Sequence, residues 1–177
     1  MSERFVVISG CSGGGKSTLL AELERQGHGV VAEPGRRIVA DQLRSGGSAL
    51  PWVDGIAFAR NAIQIALADR AAAADAQDWV FFDRGLVDAA STLQHLTGDP
   101  ALEAYGREHR YHHRVFLTPP WPEIYVTDAE RRHDLQAALP EYERLLRDYP
   151  SLGYEVIVIP KIDLCARADF ILAALSD

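Results

Sequence analysis

The chain has 177 residues, of which 47% are hydrophobic and 24% are charged, and its net charge is −7. This is the composition of an ordinary globular protein, and the length predicts a single domain over residues 1–177. The acidic balance argues against nucleic acid as a partner, because binding to a phosphate backbone usually needs a basic surplus. No apolar run approaches a membrane span or a signal-peptide core, so we expect no membrane partner and a cytoplasmic location.

Five short apolar runs, rich in β-branched and aromatic residues, predict strands. They are 5–8, 29–34, 79–85, 114–120 and 154–160. Helical spacing predicts helices between and after them, at 16–27, 35–47, 53–77, 86–96, 100–110, 127–149 and 166–175. Strands that alternate with helices predict an α/β fold, a three-layer sandwich with a five-stranded parallel sheet between two layers of helices.

The predicted helix at 127–149 has a clear start and an interruption. Thr127 and Glu130 have the spacing of a capping box. Pro140 lies inside the helical pattern, where a missing N–H and a steric clash usually disturb the helix. We therefore expect this helix to be kinked or split at Pro140.

The turn after the first strand matches the phosphate-binding pattern G-x-x-x-x-G-K-[ST], from Gly10 to Ser17. Glycines let successive backbone N–H groups point at phosphate oxygens, and the helix that follows adds a positive dipole end. Lys16 is expected to reach the β- and γ-phosphates, and Ser17 to hold Mg²⁺ through its hydroxyl. The candidate nucleotide-binding residues are Gly10, Ser12, Gly13, Gly14, Gly15, Lys16, Ser17 and Thr18.

The third predicted strand ends in the sequence VFFDRG, with Asp83 followed by Arg84. A carboxylate at this end of a strand beside a phosphate-binding loop is well placed for Mg²⁺, and the arginine for phosphate charge. Two alternatives are open: Asp83 could instead be the N-cap of the next helix, and Arg84 could be a surface side chain.

The second predicted strand ends in a carboxylate, Glu33, which is followed by Pro34, Arg36 and Arg37. Ligands of open α/β sheets bind at the carboxyl ends of the strands. Glu33 is therefore a candidate base that accepts the proton of a substrate hydroxyl or positions a water. A solvated turn is an equally open interpretation.

A proline-rich segment leads into a pair of arginines, Arg131 and Arg132, in the first turn of the predicted helix. Cations at that position oppose the helix dipole, which favours a phosphate-sensing lid over about 119–134. The alternative is a solvated face on which these arginines pair with Glu130 and Asp134.

An acceptor pocket is expected on the long helix and the loop before it. The candidate lining residues are Trp52, Phe58, Arg60, Asn61 and Gln64. For each of them, a role in the core or on the surface is an equally open interpretation. The apolar residues Ile56, Ile63 and Leu67 are interpreted as core.

The assembled motifs resemble P-loop kinases of the nucleoside and nucleoside-monophosphate kinase type. EPGRR at 33–37 and FFDRG at 81–85 are similar to the second- and third-strand motifs of thymidylate and deoxynucleoside kinases, and DAERR at 128–132 resembles their arginine lid. More closely, nearly the whole chain is similar to small bacterial proteins labelled AAA-type ATPase or predicted kinase, which are related to ribosylnicotinamide kinase domains.

This resemblance implies an ATP- and Mg²⁺-dependent phosphotransferase whose partners are ATP and a small-molecule acceptor, with a nucleoside or nucleotide as one candidate. Ser17 and Asp83 would be the metal ligands, and the loop at 160–163 would border the adenine. The implied catalytic residues are Lys16, Glu33, Asp83, Arg84, Arg131 and Arg132.

Other functions remain open at this point. The main alternative is an NTP-hydrolysing switch or a nucleotide-binding module without an acceptor, and a homodimer is also open. A guanine-specific switch is disfavoured, because PKID at 160–163 lacks the Asn or Thr that begins the guanine signature. A mechanical ATPase is disfavoured too, because Arg84 replaces the second carboxylate after the third strand.

Overall fold

A computed structural model of the protein describes residues 2–124 and 135–176. It contains five strands: β1 (Phe5–Gly10), β2 (Gly29–Val31), β3 (Val80–Asp83), β4 (Arg114–Thr118) and β5 (Glu155–Val158). The strands form one sheet in the order β2-β3-β1-β4-β5, and every neighbouring pair is parallel. The predicted five-stranded parallel sheet is therefore confirmed.

Seven α-helices lie in the described residues. They are α1 (Lys16–Arg25), α2 (Pro34–Ser45), α3 (Gly55–Ala72), α4 (Leu86–Thr97), α5 (Ala101–Glu108), α6 (Leu135–Ser151) and α7 (Leu164–Ser176). Each corresponds to a predicted helix, with ends that differ by a few residues, and the predicted start of the sixth helix at residue 127 lies outside the described residues. Short 3-10 turns lie at Ser2–Arg4 and Pro122–Ile124.

The sheet has a hydrophobic core on each face, as a three-layer sandwich requires. Successive β1 residues alternate between the two: Val6 packs with α1 and α7, and Val7 packs with α2 to α6. All six residues of β1 are buried, because helices cover both faces of this central strand. The carboxyl ends of β1, β3 and β4 meet at the middle of one edge.

Helix α6 runs unbroken through Pro140, so the expected split at this residue was wrong. The N–H that Pro140 lacks would have bonded to the carbonyl of Gln136, so one hydrogen bond of the helix is lost there. This loss does not end the helix, which continues from Pro140 to Ser151.

The capping box at Thr127 and Glu130, and the lid arginines Arg131 and Arg132, lie outside the described residues. Of the predicted lid at 119–134, only 119–124 is described. Within the described chain, no helix is both long and apolar enough to cross a membrane.

The expected core residues of α3 divide between three environments. Ile63 is fully buried and Leu67 packs partly buried against the core, as predicted. Ile56 is exposed instead, so its assignment to the core was wrong. It lies in the first turn of α3, at the rim of the helix layer, where fewer elements cover it.

Candidate active site

The phosphate-binding loop lies between β1 and α1 and is held against the end of β4. The N–H of Cys11 donates to the carbonyl of Thr118 at 2.9 Å. Gly10 has a φ of 118°, and a Cβ there would lie 2.3 Å from the Thr118 carbonyl oxygen, so only glycine fits. The start of the loop is therefore held by Thr118 at the end of β4, which contacts both Gly10 and Cys11.

The candidate phosphate-binding side chains of the loop lie around the start of α1. Lys16 is the first residue of the helix and is 97% buried, leaving 3% of its surface exposed. Ser17 and Thr18 are exposed at the same helix end, and Ser12 is half-buried in the loop. A buried lysine at a helix N-terminus, beside glycine N–H groups, suits a polyphosphate.

Asp83 ends β3, in register with Ile8 on the neighbouring β1, and is buried. It does not cap α4, because Gly85 occupies the N-cap position and Asp88 accepts its N–H at 3.0 Å. The N-cap interpretation of Asp83 was thus wrong. Its carboxylate lies at the sheet edge where the phosphate-binding loop begins.

Arg84 is held inside a cluster of protein acceptors, so it is not the surface side chain of the alternative interpretation. Its Nη1 lies 2.6 Å from Oε1 of Glu141, and its Nη2 donates to the carbonyl of Gly10 at 3.1 Å. Its Nε lies 3.5 Å from Oε1 of Glu33, and Nη1 lies 3.7 Å from Oδ1 of Asp88. The guanidinium thereby connects the phosphate-binding loop to α2, α4 and α6.

Two further properties mark Arg84 as unusual. Its φ of 58° is the only positive value at a non-glycine position in the described chain, a conformation that costs energy and persists only when surroundings enforce it. Burial alone would lower its pKa, but nearby carboxylates outweigh this and hold the pKa above the ordinary value. The carboxylates are those of Glu141, Glu33, Asp88 and Asp83.

Glu33 occupies the N-cap position of α2, yet its side chain makes no capping hydrogen bond. The carboxylate instead lies beside Arg84, and it also lines the cavity described below. Pro34 fixes the first turn of α2, where its missing N–H is not needed. The solvated-turn interpretation therefore does not hold for this side chain.

Asp88 joins three elements and was not identified in the sequence. Its carboxylate accepts hydrogen bonds from Ser9 of β1, from the N–H of Gly85 and, at 2.6 Å, from the hydroxyl of Tyr149 on α6. A signal was present, because Asp88 lies three residues after Gly85, the N-cap of α4, which is the spacing of a capping box.

A cavity of about 340 Å³ opens beside the phosphate-binding loop, between α2, α3, α4 and α6. This volume is in the range of small-molecule binding sites. Its polar lining residues are Ser12, Glu33, Arg36, Arg84, Asp88, Thr92, His95, Glu141 and Arg144. Apolar residues, among them Phe58 and Val39, form the rest of its wall.

The residues predicted for an acceptor pocket are only partly brought together. Phe58 lines the cavity, whereas Asn61 and Gln64 line a separate depression of about 270 Å³ between α2 and α3. Arg60 and Trp52 are exposed and line neither. Only one face of α3 lines the cavity, so residues on its other faces cannot contact a ligand there.

Arg167 of α7 also lies beside the phosphate-binding loop and was missed in the sequence. It is 6% exposed, and a Cβ at Gly15 would come within 2.8 Å of its Nη1. Its guanidinium packs over the ring of Trp121 at 5.2 Å, while its buried Nε and Nη1 have no acceptor among the described residues. Its place on the buried stripe with Ala168, Ile171 and Leu175 is the signal that could have revealed it.

The oxygen donors at this edge suit a hard cation such as Mg²⁺. The hydroxyl of Ser17 and the carboxylate of Asp83 are the ligand types that Mg²⁺ prefers. Mg²⁺ that accompanies a nucleotide needs only one or two protein ligands, since phosphates and waters supply the others. Within residues 2–124 and 135–176, no group of three or more histidine, cysteine or acidic side chains offers a complete protein-only metal site.

The fold and the loop together define a P-loop kinase fold, and comparison with solved structures supports this class. Deoxyadenosine kinase from M. mycoides, solved with dCMP and dCDP, aligns with a TM-score of 0.59 at 14% identity over 97% of this chain and 98% of the other. Shikimate kinase from Acinetobacter baumannii, solved with shikimate, aligns with a TM-score of 0.63 at 14% identity over 98% of this chain and 93% of the other.

Within this class, the family model of the AAA domain matches residues 5–167, and the chain belongs to that family. The matched region contains the whole sheet and the whole candidate site. Comparison of the sequence with curated proteins yields no significant match.

Proposed function

We propose that the protein is an ATP- and Mg²⁺-dependent phosphotransferase that acts on a small-molecule acceptor. The observation that carries this proposal is the cavity beside the phosphate-binding loop, which is lined by Ser12 of that loop and by Glu33 and Arg84. A nucleotide switch has no need of a second small-molecule cavity at its phosphate site. A kinase requires one, because donor and acceptor must be held together for transfer.

The donor would be bound by the loop and by α7. Backbone N–H groups of the loop and Lys16 would hold the β- and γ-phosphates, and Ser17 and Asp83 would hold Mg²⁺, which neutralises phosphate charge. The segment at 160–163 and the packed pair Trp121 and Arg167 would border the base and sugar.

The transfer itself would need positioning and charge neutralisation more than covalent chemistry. The acceptor oxygen forms a bond to the γ-phosphorus while the bond to the β-phosphate oxygen breaks, and ADP leaves. Glu33 would take the proton of the acceptor hydroxyl, which is the role of a general base. Arg84 would stabilise the charge on the transferring group, together with Arg131 and Arg132 of the predicted lid.

The experiment that tests this function measures ADP release with Mg²⁺-ATP and a panel of nucleosides, nucleotides and hydroxylated metabolites. We expect at least one acceptor to stimulate ADP release, with loss of activity when EDTA removes Mg²⁺. Lys16→Ala should lower turnover at least about a hundredfold, because an aimed cationic donor is lost. Its circular dichroism and unfolding midpoint should stay near those of the wild type.

Two outcomes would overturn the proposal. ATP turnover that no acceptor stimulates would favour the alternative, an NTP-hydrolysing regulatory module. Tight binding of GTP without binding of ATP would exclude the proposed donor. Direct detection of a phosphorylated product by mass spectrometry separates transfer from hydrolysis that an acceptor merely accelerates.

A further inference from the structure

Arg144 on α6 lines the cavity and has an unusual set of contacts. Its Nε donates to the hydroxyl of Ser91 on α4 at 3.0 Å, and that hydroxyl donates to the carboxylate of Asp148. Within the described part of the chain, Arg144 has no other hydrogen bond and no ion pair. A half-buried guanidinium is thus fixed through Nε while both Nη groups retain their donor capacity.

The carboxylates of the cavity are already compensated within the protein. Glu33 and Glu141 both lie beside the guanidinium of Arg84. Asp88 accepts hydrogen bonds from three donors, in addition to its proximity to Arg84. The carboxylates therefore cluster around Arg84, and none of them is an ion-pair partner of Arg144.

The two arginines lie at different levels along the same pair of helices. Arg144 follows Glu141 by three residues on α6, and Ser91 follows Asp88 by three residues on α4, which corresponds to about 4.5 Å along each axis. The level of Arg84 is next to the phosphate-binding loop, because Arg84 bonds the carbonyl of Gly10. Arg144 lies about one turn of α6 away from Glu141, the partner of Arg84, and it lines the same cavity.

We infer that the acceptor is an anionic alcohol, whose carboxylate or phosphate group binds Arg144 while its hydroxyl faces Glu33 and Arg84. This inference rests on the proposed function, since it assigns the two ends of the acceptor within the same cavity. A planar guanidinium with free donors binds such a group in a bidentate manner. Burial of a neutral acceptor would instead leave the Nη groups of Arg144 without a charged acceptor.

The test uses pairs of alcohols that differ in the anionic group alone. The probes are shikimate and its methyl ester, glycerate and glycerol, and 2′-deoxycytidine 3′-monophosphate and 2′-deoxycytidine. Binding of each is measured by titration calorimetry in the presence of Mg²⁺ and a non-hydrolysable ATP analogue. We expect the anionic member of at least one pair to bind at least about tenfold more tightly than its neutral counterpart.

Arg144→Gln should abolish this preference, with a loss of affinity of about tenfold to a hundredfold. Arg147→Gln is the matched control, because Arg147 is an exposed arginine on the same helix and does not line the cavity. Affinity for the ATP analogue should be the same in both variants. Comparison of the carboxylate probes (shikimate and glycerate) with the phosphate probe (2′-deoxycytidine 3′-monophosphate) identifies which anion the site accepts.

The inference is overturned if every anionic probe binds no better than its neutral partner, or if Arg144→Gln and Arg147→Gln have equal effects. Its failure is distinguishable from failure of the proposed function. Phosphoryl transfer to a neutral alcohol alone would support the proposed kinase function and contradict an anionic acceptor. Anion binding that depends on Arg144, without phosphoryl transfer in the ADP-release assay, would support the anion site and contradict the proposed kinase function.

Discussion

Nη1 of Arg84 lies 2.6 Å from Oε1 of Glu141, so the turn after β3 is joined directly to α6. The same guanidinium donates to the carbonyl of Gly10 at the start of the phosphate-binding loop. A single side chain therefore connects the proposed donor site to a wall of the proposed acceptor cavity. The left-handed backbone of Arg84 indicates that this arrangement is enforced by its surroundings.

The first prediction concerns this connection. Arg84→Lys keeps the positive charge among the carboxylates but cannot bond Gly10 and Glu141 at the same time, because an ammonium lacks the planar fork. We expect kcat of acceptor phosphorylation to fall about a hundredfold or more, as when one aimed donor is removed from a transition state. Steady-state kinetics of ADP release measure this effect.

Arg84→Ala provides the comparison, because it leaves two buried and two partly buried carboxylates without their cation. It should destabilise the protein by about 3 to 5 kcal/mol in urea unfolding, whereas the lysine variant should lose much less. A wild-type kcat in Arg84→Lys would show that Arg84 has only a structural role.

The second prediction concerns Glu33 as the proposed base. Glu33→Gln is nearly isosteric, and it removes the capacity to accept a proton from the acceptor. We expect kcat to fall about a hundredfold to ten-thousandfold, with little change in the affinity for ATP. Glu24→Gln on the exposed face of α1 is the matched control. Equal losses of kcat and of ATP affinity would argue against a role as the base.

The third prediction concerns Arg167, whose buried Nε and Nη1 have no acceptor within the described chain. Desolvation lowers the pKa of its guanidinium, because burial disfavours the charged form. Arg167→Met replaces the cation by an apolar side chain of similar length. We expect the free energy of unfolding to rise by about 1 kcal/mol and the affinity for ATP to fall about tenfold.

Urea unfolding without nucleotide and titration calorimetry with ATP measure the two effects separately. Arg147→Met, at an exposed position on α6, controls for the loss of one positive charge. A variant that is both less stable and unimpaired in ATP binding would show that Arg167 serves only to pack against Trp121.

Much of the fold was predictable because it depends on local patterns. The apolar runs and the glycine-rich turn identify the parallel sheet and the loop before α1 without any knowledge of contacts. The rule that ligands bind at the carboxyl ends of strands directs attention to Glu33, Asp83 and Arg84, which the structure brings close together. Their catalytic roles stay predictions.

The contacts that define the acceptor side depend on distant parts of the chain and were not predictable in this way. Glu141 and Arg144 lie on α6, more than fifty residues after the β3 turn, and nothing in their helical spacing distinguishes them from a solvated face. Arg167 depends on how α7 packs against the loop at Gly15. Such pairings arise from tertiary packing, which one sequence does not encode in a local signal.

The last prediction concerns the buried hydrogen bond from the hydroxyl of Tyr149 to Asp88. Burial raises the pKa of this phenol well above its ordinary value of 10.0, and the nearby charge of Asp88 raises it further. The folded protein therefore retains the proton at a pH at which the unfolded chain has lost it. This contribution to stability is fully present below about pH 10 and is lost as the pH rises above that value.

Tyr149→Phe removes this titration together with the hydrogen bond. At neutral pH we expect the free energy of unfolding to fall by about 1 to 2 kcal/mol, because Asp88 loses one of its donors. Above about pH 10, the wild type should lose stability more steeply than the variant, by up to about 1.4 kcal/mol per pH unit. Tyr111, whose pKa burial raises to about 12, is retained in both proteins and contributes equally to both. Urea unfolding across this pH range decides the point, since parallel stability curves would mean that the Tyr149 phenol does not titrate differently in the folded state.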